Sequence, residues 1–422
     1  MSQSSDLPLL INNAHRAVRE GRLDEARRLW EQVLARAPED PQALYVLGFL
    51  ALQRGTPATA RDFLLRAVNA HPGDKLAYMT LAVALRETGD PNGEAAALQA
   101  ALAIDPYFLP ALLSYGAFQE RHGQKRAAAQ TYRNALKIVP DEAGWPPDLR
   151  DHLTHARTAR DRDGQAYYDY LQAATAATRA AHAGADHARF NQGIAIMAGL
   201  SKPYNAEAAA FTVPRLPAIP FFERSDFPFL QALEAETDTI RAELLAGLND
   251  LAGFTPYVQY EPGIPVNQWV ELNHSDRWST LFLWKHGQPI AENQARFPKT
   301  AAILAGLEMA DIDGLCPTAM FSALAPRTTI PPHSGETNAR LVVHLPLVIP
   351  KGCTYRVGAE HRQWVEGECL IFDDSIEHEA RNDSDELRIV LIFDVWNPLL
   401  TEAERDLMRA TMTARRAYYA TQ

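Results

Sequence analysis

Cysteine is scarce in this sequence: three residues among 422, at Cys316, Cys353 and Cys369, with no CxxC spacing. An odd number without paired ligand spacing argues against a disulfide framework or a cysteine-built zinc site. It fits reduced, mostly buried thiols in a cytoplasmic protein. An excess of basic charge is also missing, with 41 Lys and Arg against 52 Asp and Glu and a net charge of -11. Nucleic acid and anionic membrane surfaces are held by clustered cations, so neither is expected as a partner. No apolar run approaches the roughly 18 residues that a membrane-spanning helix needs. The opening MSQSSDLPLLINNAHRA lacks the basic start and long apolar core of a secretory leader. What remains is an ordinary soluble composition, 47% hydrophobic and 22% charged, in a chain long enough for two or three domains.

The N-terminal third is periodic. Pro38, Pro72, Pro106 and Pro140 recur every 34 residues, and Gly21, Gly55, Gly89 and Gly123 keep the same step. Ala67, Ala101 and Ala135 follow it, and so do Leu34, Val68, Leu102 and Leu136. Gly48, Ala82 and Gly116 supply small residues where two helices would cross closely, as do Ala26, Ala60 and Ala128. Several positions sharing one period in phase resemble the tetratricopeptide repeat, with four copies at about residues 7–40, 41–74, 75–108 and 109–142. Each unit reads as two amphipathic helices with glycine at the turn and proline at the end. One unit cannot bury its apolar face alone, so the units stack into a solenoid whose groove could bind a peptide or protein partner. A structural spacer or a dimerisation arm is the plainer alternative. Tyr45, Tyr78, Tyr115 and Tyr132 could line such a groove, although tyrosines at helical spacing more often belong to a core.

From Asp148 to about Leu200 the pattern stays helical but loses the period, as expected of a capping helix pair. A proline- and aromatic-rich connector follows, and a helix is expected from Phe229 to about Leu248. Beyond Phe254 short runs alternate with turns: VQYEP, WVELNH, STLFLW, AMFSALAP, ARLVVHLPLVI, CTYRVG, QWVEG, ECLIFDD and ELRIVLIFDVW. Many short strands punctuated by Gly, Pro and Asn suggest a sandwich or jelly roll. The final TEAERDLMRATMTARRAYYA reads as a helix opened by a Thr401–Glu404 capping box.

Within the strand region, alternation places Arg340, Val342 and His344 on one face and Leu341 and Val343 on the other. Arg388 sits inside the apolar run Leu387 to Val395, where a guanidinium needs an anion. That anion is either Asp373, Asp374 or Glu377, or a ligand carboxylate held in bidentate geometry. His333 and His378 stand apart from the other histidines because each lies at a strand end beside small residues. Two histidines with a carboxylate form the facial triad of non-haem iron oxygenases. Here Gly335 stands two residues after the first histidine, where the carboxylate would be, and Glu336 would point to the opposite face.

The region from about Leu216 to Pro398 resembles the aspartyl/asparaginyl β-hydroxylase family. The segments that carry the resemblance are RLPAIPFFE, FLWKHGQ with the later PKT, MFSALAP, PPHSGETNARLVVHLPLVIP, WVEGECLIFDDSIEHEARND and LRIVLIFDVWNP. Members of this family use two histidines without the carboxylate, so Gly335 accords with them. The resemblance implies a multidomain α + β protein: tetratricopeptide repeats over 1–145, capping and linker helices over 146–200, and a double-stranded β-helix (jelly-roll, cupin-like) domain over 201–422. It implies an Fe(II)- and 2-oxoglutarate-dependent dioxygenase that uses O2 to hydroxylate the β-carbon of an Asp or Asn residue in a peptide or protein. His333 and His378 would bind the metal. Arg388, helped by the Ser322 hydroxyl, would bind the distal carboxylate of 2-oxoglutarate, and His344 would lie near its other carboxylate. Arg340 would face the carboxylate or carboxamide of the substrate. Asp373 and Asp374 could fix the tautomer of His378. Animal-type members carry R-L-R ahead of the histidine, and Val342 replaces the second arginine here, which bears on carboxylate anchoring and substrate choice. Two alternatives accompany this reading. One is the same chemistry on a small or carrier-bound amino acid, with the repeats recruiting a partner; the other is a non-catalytic repeat scaffold with a relic β-helix.

Overall fold

The computed structural model describes residues 6–140, 142–185, 187–248 and 251–420. The first five residues, read above for a leader, and the last two lie outside this description. The chain forms two compact units that divide between Leu200 and Ser201. Among the described residues no helix is long and apolar enough to cross a membrane.

The first unit opens with four helix pairs: Asp6–Arg19 with Leu23–Arg36, Pro41–Gln53 with Pro57–Ala70, Lys75–Glu87 with Pro91–Ile104, and Leu109–Arg121 with Lys125–Lys137. Gly21, Gly55, Gly89 and Gly123 mark the turns, with φ of 72°, 70°, 74° and 75°. That left-handed conformation disfavours any residue with a Cβ, which explains the 34-residue glycine period. Asp40, Asp74 and Asp90 cap helices by accepting from the backbone N–H groups of Ala43, Ala77 and Gly93. Gly48 and Gly116 lie where helices touch: a Cβ would strike Leu64 in the first case and Tyr132 in the second. Tyr132 is itself buried and donates its hydroxyl to Glu120 at 2.9 Å, so it belongs to the core. Tyr45, Tyr78 and Tyr115 are half-buried. The expected capping pair is instead three helices, Arg150–Ala174, Ala176–Ala181 and Ala188–Met197. The first is 25 residues long and packs Leu153, Ala156 and Ala159 against Ala128, Tyr132 and Ala135, closing the open end of the array.

In the second unit the expected Phe229–Leu248 helix is broken into Leu230–Ala235 and Thr237–Gly247. The break lies where Thr237 turns its hydroxyl back to donate to the Glu234 carbonyl at 2.7 Å. Among the described residues eleven strands follow: β1 (Thr255–Pro256), β2 (Trp278–Lys285), β3 (Gln288–Pro289), β4 (Ala319–Leu324), β5 (Thr328–His333), β6 (Arg340–Val348), β7 (Cys353–Val357), β8 (Glu360–Arg362), β9 (Leu370–Phe372), β10 (His378–Asn382) and β11 (Arg388–Trp396). Three expected strands, VQYEP, WVELNH and QWVEG, are loop or turn. Five strands were not expected: the short β1, β3 and β8, and the longer β5 and β10. The strands form two antiparallel sheets, a larger one in the order β1-β2-β4-β11-β6-β9 with β3 on β2, and a smaller one in the order β5-β10-β7-β8.

Strand alternation sorts the side chains of the larger sheet. Phe321, Leu341, Val343, Leu345, Leu391 and Phe393 face one way and pack on Leu233, Ile240, Leu244 and Leu304 from the helices. Met320, Leu324, Val342, Val390 and Ile392 face the other way and meet Ile330, Tyr355, Val357 and Ala380 of the smaller sheet. The unit is therefore layered as helices, larger sheet and smaller sheet, and polar residues on the inner face of the larger sheet point between the sheets. The last helix, Glu402–Ala420, opens with the expected capping box. The Thr401 hydroxyl and backbone N–H both donate to Glu404 at 2.8 Å, and the Glu404 N–H returns to the Thr401 hydroxyl at 3.3 Å.

Candidate active site

Between the two sheets lies a cavity of about 510 Å³. The smaller sheet supplies its histidines. β5 and β10 pair antiparallel in a register that sets His333 directly opposite His378. Their ring centroids are 4.1 Å apart, with the planes inclined at 52°. Each ring is oriented by its own backbone: the Nδ1 of His333 donates to the Pro331 carbonyl at 2.8 Å, and that of His378 to the Ile376 carbonyl at 3.0 Å. Those bonds leave both Nε2 atoms unprotonated. Burial, reinforced by the neighbouring His378, pulls His333 down to about 3, and burial pulls His378 down to about 4. Two neutral imidazoles with available Nε2 lone pairs are what a divalent metal requires.

The tautomer of His378 is thus set by a backbone carbonyl, and neither Asp373 nor Asp374 takes the role expected for it. Asp373 accepts from the N–H of Ser375 at 3.0 Å and from its hydroxyl at 2.6 Å. Asp374 turns to Arg340. At Gly335 a Cβ would run into the Asp374 carboxylate, so Asp374 fills the space that a side chain at 335 would use. Among the described residues no group of three or more His, Cys, Asp and Glu forms a metal cluster.

The larger sheet supplies the rest. Ser322, His344, Arg340 and Arg388 all line the same cavity as the histidines. Arg388 is buried, 1% exposed, and forms no ion pair with any described residue. Among the described residues its Nε has no partner, its Nη1 reaches only the Ser322 carbonyl at a long 3.5 Å, and its guanidinium lies 4.8 Å over the ring of Trp364. Burial pulls its pKa down to about 10. The alternative protein partners are engaged elsewhere: Asp373 with Ser375, Asp374 with Arg340, and Glu377 with Arg356 at 2.9 Å. A buried cation without an anion is strongly disfavoured, which leaves a cradle suited to a ligand carboxylate.

Beside Arg388, the Ser322 hydroxyl accepts from the Trp278 indole N–H at 3.2 Å and retains its own proton for donation. His344 is held far below its ordinary pKa, first by burial and then by Arg388. Its Nδ1 accepts from the Trp364 indole N–H at 3.3 Å, so the ring proton resides on Nε2. Arg340 differs from what the sequence suggested. Its guanidinium lies 3.1 Å from Asp374, 3.3 Å from Asp394 and 3.8 Å from Glu336, so its charge is already matched by carboxylates. Burial pushes Asp394 up to about 6. Sequence reasoning missed Asp394, Trp364, Trp278 and Trp269. Asp394 was legible in principle, because β11 alternation places it on the face of Arg388. Trp269 was read as the start of a strand; it ends a short 3-10 helix, Asn267–Trp269, and its ring sits 5.0 Å edge-on to His333.

The class of site is thus a cavity between antiparallel sheets that holds two opposed neutral histidines and, among the described residues, a buried arginine with no carboxylate partner. Sequence comparison supplies the family. The profile described as Aspartyl/Asparaginyl beta-hydroxylase matches residues 234–398, and that of the tetratricopeptide repeat matches 11–75 and 64–107. The human aspartate beta-hydroxylase domain-containing protein 2 is 32% identical over 49% of this chain and 55% of its own length. The mouse aspartyl/asparaginyl beta-hydroxylase is 42% identical over 32% of this chain and 18% of its own. The ornithine lipid ester-linked acyl 2-hydroxylase of Rhizobium tropici is 32% identical over 47% of this chain and 68% of its own. The chain belongs to the aspartyl/asparaginyl β-hydroxylase family, with tetratricopeptide repeats ahead of the family domain. It spans about half the length of the first of these relatives and less than a fifth of the second.

Proposed function

We propose that this protein is an Fe(II)- and 2-oxoglutarate-dependent dioxygenase, built on a double-stranded β-helix, that hydroxylates an unactivated carbon of an Asp- or Asn-type substrate. The observation that carries the reading is Arg388, a buried guanidinium with no carboxylate of its own, in one cavity with two opposed neutral histidines. Iron with 2-oxoglutarate and O2 would supply the oxidising chemistry. The chain's residues bind and orient. His333 and His378 present their Nε2 atoms to the metal, fixed by the Pro331 and Ile376 carbonyls. Arg388 and the Ser322 hydroxyl receive the distal carboxylate of the co-substrate. His344, its Nε2–H fixed by Trp364, donates toward the other carboxylate. Trp269, Trp278, Tyr355 and Phe372 wall the histidines with aromatic rings and exclude water.

The same geometry favours a second reading, an amino-acid-like small molecule or an acyl chain, because Val342, Met320 and Ile392 make part of the cavity wall apolar. The bacterial relative named as a lipid acyl hydroxylase lies in that direction. In either case the repeats would recruit a partner or present the substrate. Conversion of 2-oxoglutarate to succinate by the Fe(II)-loaded chain tests the proposal. Turnover lost in His378→Ala supports it. Absence of both metal binding and turnover in the wild type would overturn it in favour of a repeat scaffold.

A further inference from the structure

Tyr355 stands on β7 and is 3% exposed. The strand alternates, so Cys353, Tyr355 and Val357 turn toward the larger sheet while Thr354 and Arg356 turn away. Register places the tyrosine one inward position beyond the metal end: Val357 pairs with His378, and Tyr355 pairs with Ala380. Its ring lies among other rings, with centroids 4.9 Å from Phe372, 5.1 Å from Trp364, 5.2 Å from His344 and 6.2 Å from His378. Packing on so many sides fixes the direction of the phenol.

A phenylalanine would fill this nest equally well, so the hydroxyl is the feature to explain. It belongs to the cavity wall and forms no hydrogen bond among the described residues. Burial pushes it well above its ordinary pKa, so it keeps its proton and is a donor. A donor without an acceptor in a poorly solvated space is unfavourable. The polar groups around it offer none that is free. The Nδ1 of His344 already accepts from Trp364, which leaves an N–H on the other nitrogen. The Nδ1 of His378 donates to Ile376. Arg388 has donors only, and the Ser322 hydroxyl, accepting from Trp278, has a proton to give. The carboxylates in the cavity wall, Asp374, Asp394 and Glu336, are taken up by Arg340. Donors of Arg388, Ser322, His344 and Tyr355 thus line one cavity, and a ligand must bring the acceptors.

Trp364 indicates which part of that ligand the phenol meets. Its indole lies 4.8 Å from the Arg388 guanidinium and 5.1 Å from the Tyr355 ring, so both groups flank one side chain. Each is also within electrostatic reach of the other. We infer that Tyr355 is a co-substrate-binding residue whose hydroxyl donates to the same distal carboxylate that Arg388 and Ser322 receive. It thereby makes the cavity selective for a keto acid with a second carboxylate. The inference rests on the function proposed above.

The test compares the full chain with its Tyr355→Phe variant, both loaded with Fe(II) and kept free of O2. Calorimetric titrations use 2-oxoglutarate and 2-oxobutyrate, which keeps the keto acid and lacks the distal carboxylate. The variant should hold 2-oxoglutarate about 10-fold more weakly, a difference of about 1.4 kcal/mol. Its behaviour toward 2-oxobutyrate and its Fe(II) affinity should match wild type. The urea midpoint of the unloaded variant should equal or exceed that of wild type, because an unpartnered hydroxyl has been removed; a tyrosine with only a structural role would lower it. Undiminished 2-oxoglutarate binding, an equal loss for 2-oxobutyrate, or a lowered midpoint would overturn the inference and leave the proposed function intact. A wild-type chain that binds no 2-oxoglutarate would overturn that function and this inference with it.

Discussion

Arg340 and Arg388 lie on one face of the larger sheet, line one cavity and are both almost wholly buried, yet their surroundings are opposite. Arg340 is enclosed by three carboxylates. Arg388 has a tryptophan face, a distant carbonyl and, among the described residues, no anion. Burial alone therefore does not tell what a buried charge is for. A matched cation holds the fold and tunes polarity, whereas an unmatched one is a disadvantage to the empty protein that a ligand removes.

Breaking each part of this arrangement should give a different signature. The largest effect is expected at the metal end: His378→Ala should weaken metal affinity by about 100-fold or more and abolish turnover, read by metal titration and succinate release. Arg340→Ala strands Asp374 and Asp394 without their cation and should destabilise the unloaded protein by about 3–5 kcal/mol in urea unfolding. Arg388→Ala should do the reverse. It should raise the 2-oxoglutarate requirement by about 100-fold while leaving the unloaded protein as stable as wild type or more so. Equal loss of stability in the two arginine variants would erase the distinction between them.

Acid should act through the histidines. Both have folded-state pKa values near 3 to 4 against an ordinary 6.5, so the unfolded chain binds protons that the folded chain refuses. Their contribution is fully present above about pH 6.5 and is lost as pH falls toward 3 to 4. Urea midpoints of the metal-free protein should decline over that window, and a His333→Gln, His378→Gln double variant should show a shallower decline. The smallest effect belongs to the repeats, where packing governs instead of charge. Gly116→Ala would press on Tyr132 and should cost about 1–3 kcal/mol without changing 2-oxoglutarate affinity.

The repeats were legible because their signal is local and repeated. A glycine with positive φ at each turn and a proline after each pair are demands of single residues, written four times. The hydrophobic strands of the larger sheet were legible for the same reason, since a strand buried on both sides must be apolar along its length. The two strands that carry the histidines were not. β5 reads TTIPPH and β10 reads HEARN, one interrupted by prolines and the other polar. The prolines are tolerated because β5 is an edge strand, with only β10 beside it, and because the register with β10 shifts where Pro331 and Pro332 stand, so the ladder is already interrupted there. The polar run of β10 is held by partners on both sides, β5 and β7.

By itself the sequence determined the helical array, the β-rich second unit and the residue types of the site, because periodicity and alternation follow from backbone geometry. Only the tertiary structure decided which charges meet. His333 and His378 are 45 positions apart, and Arg340 finds the two nearest of its three carboxylates 34 and 54 residues away. No pattern along the chain tells whether an arginine will face an aspartate or an empty space. That choice is made when the sheets close, and here it matched Arg340 and left Arg388 without a carboxylate among the described residues.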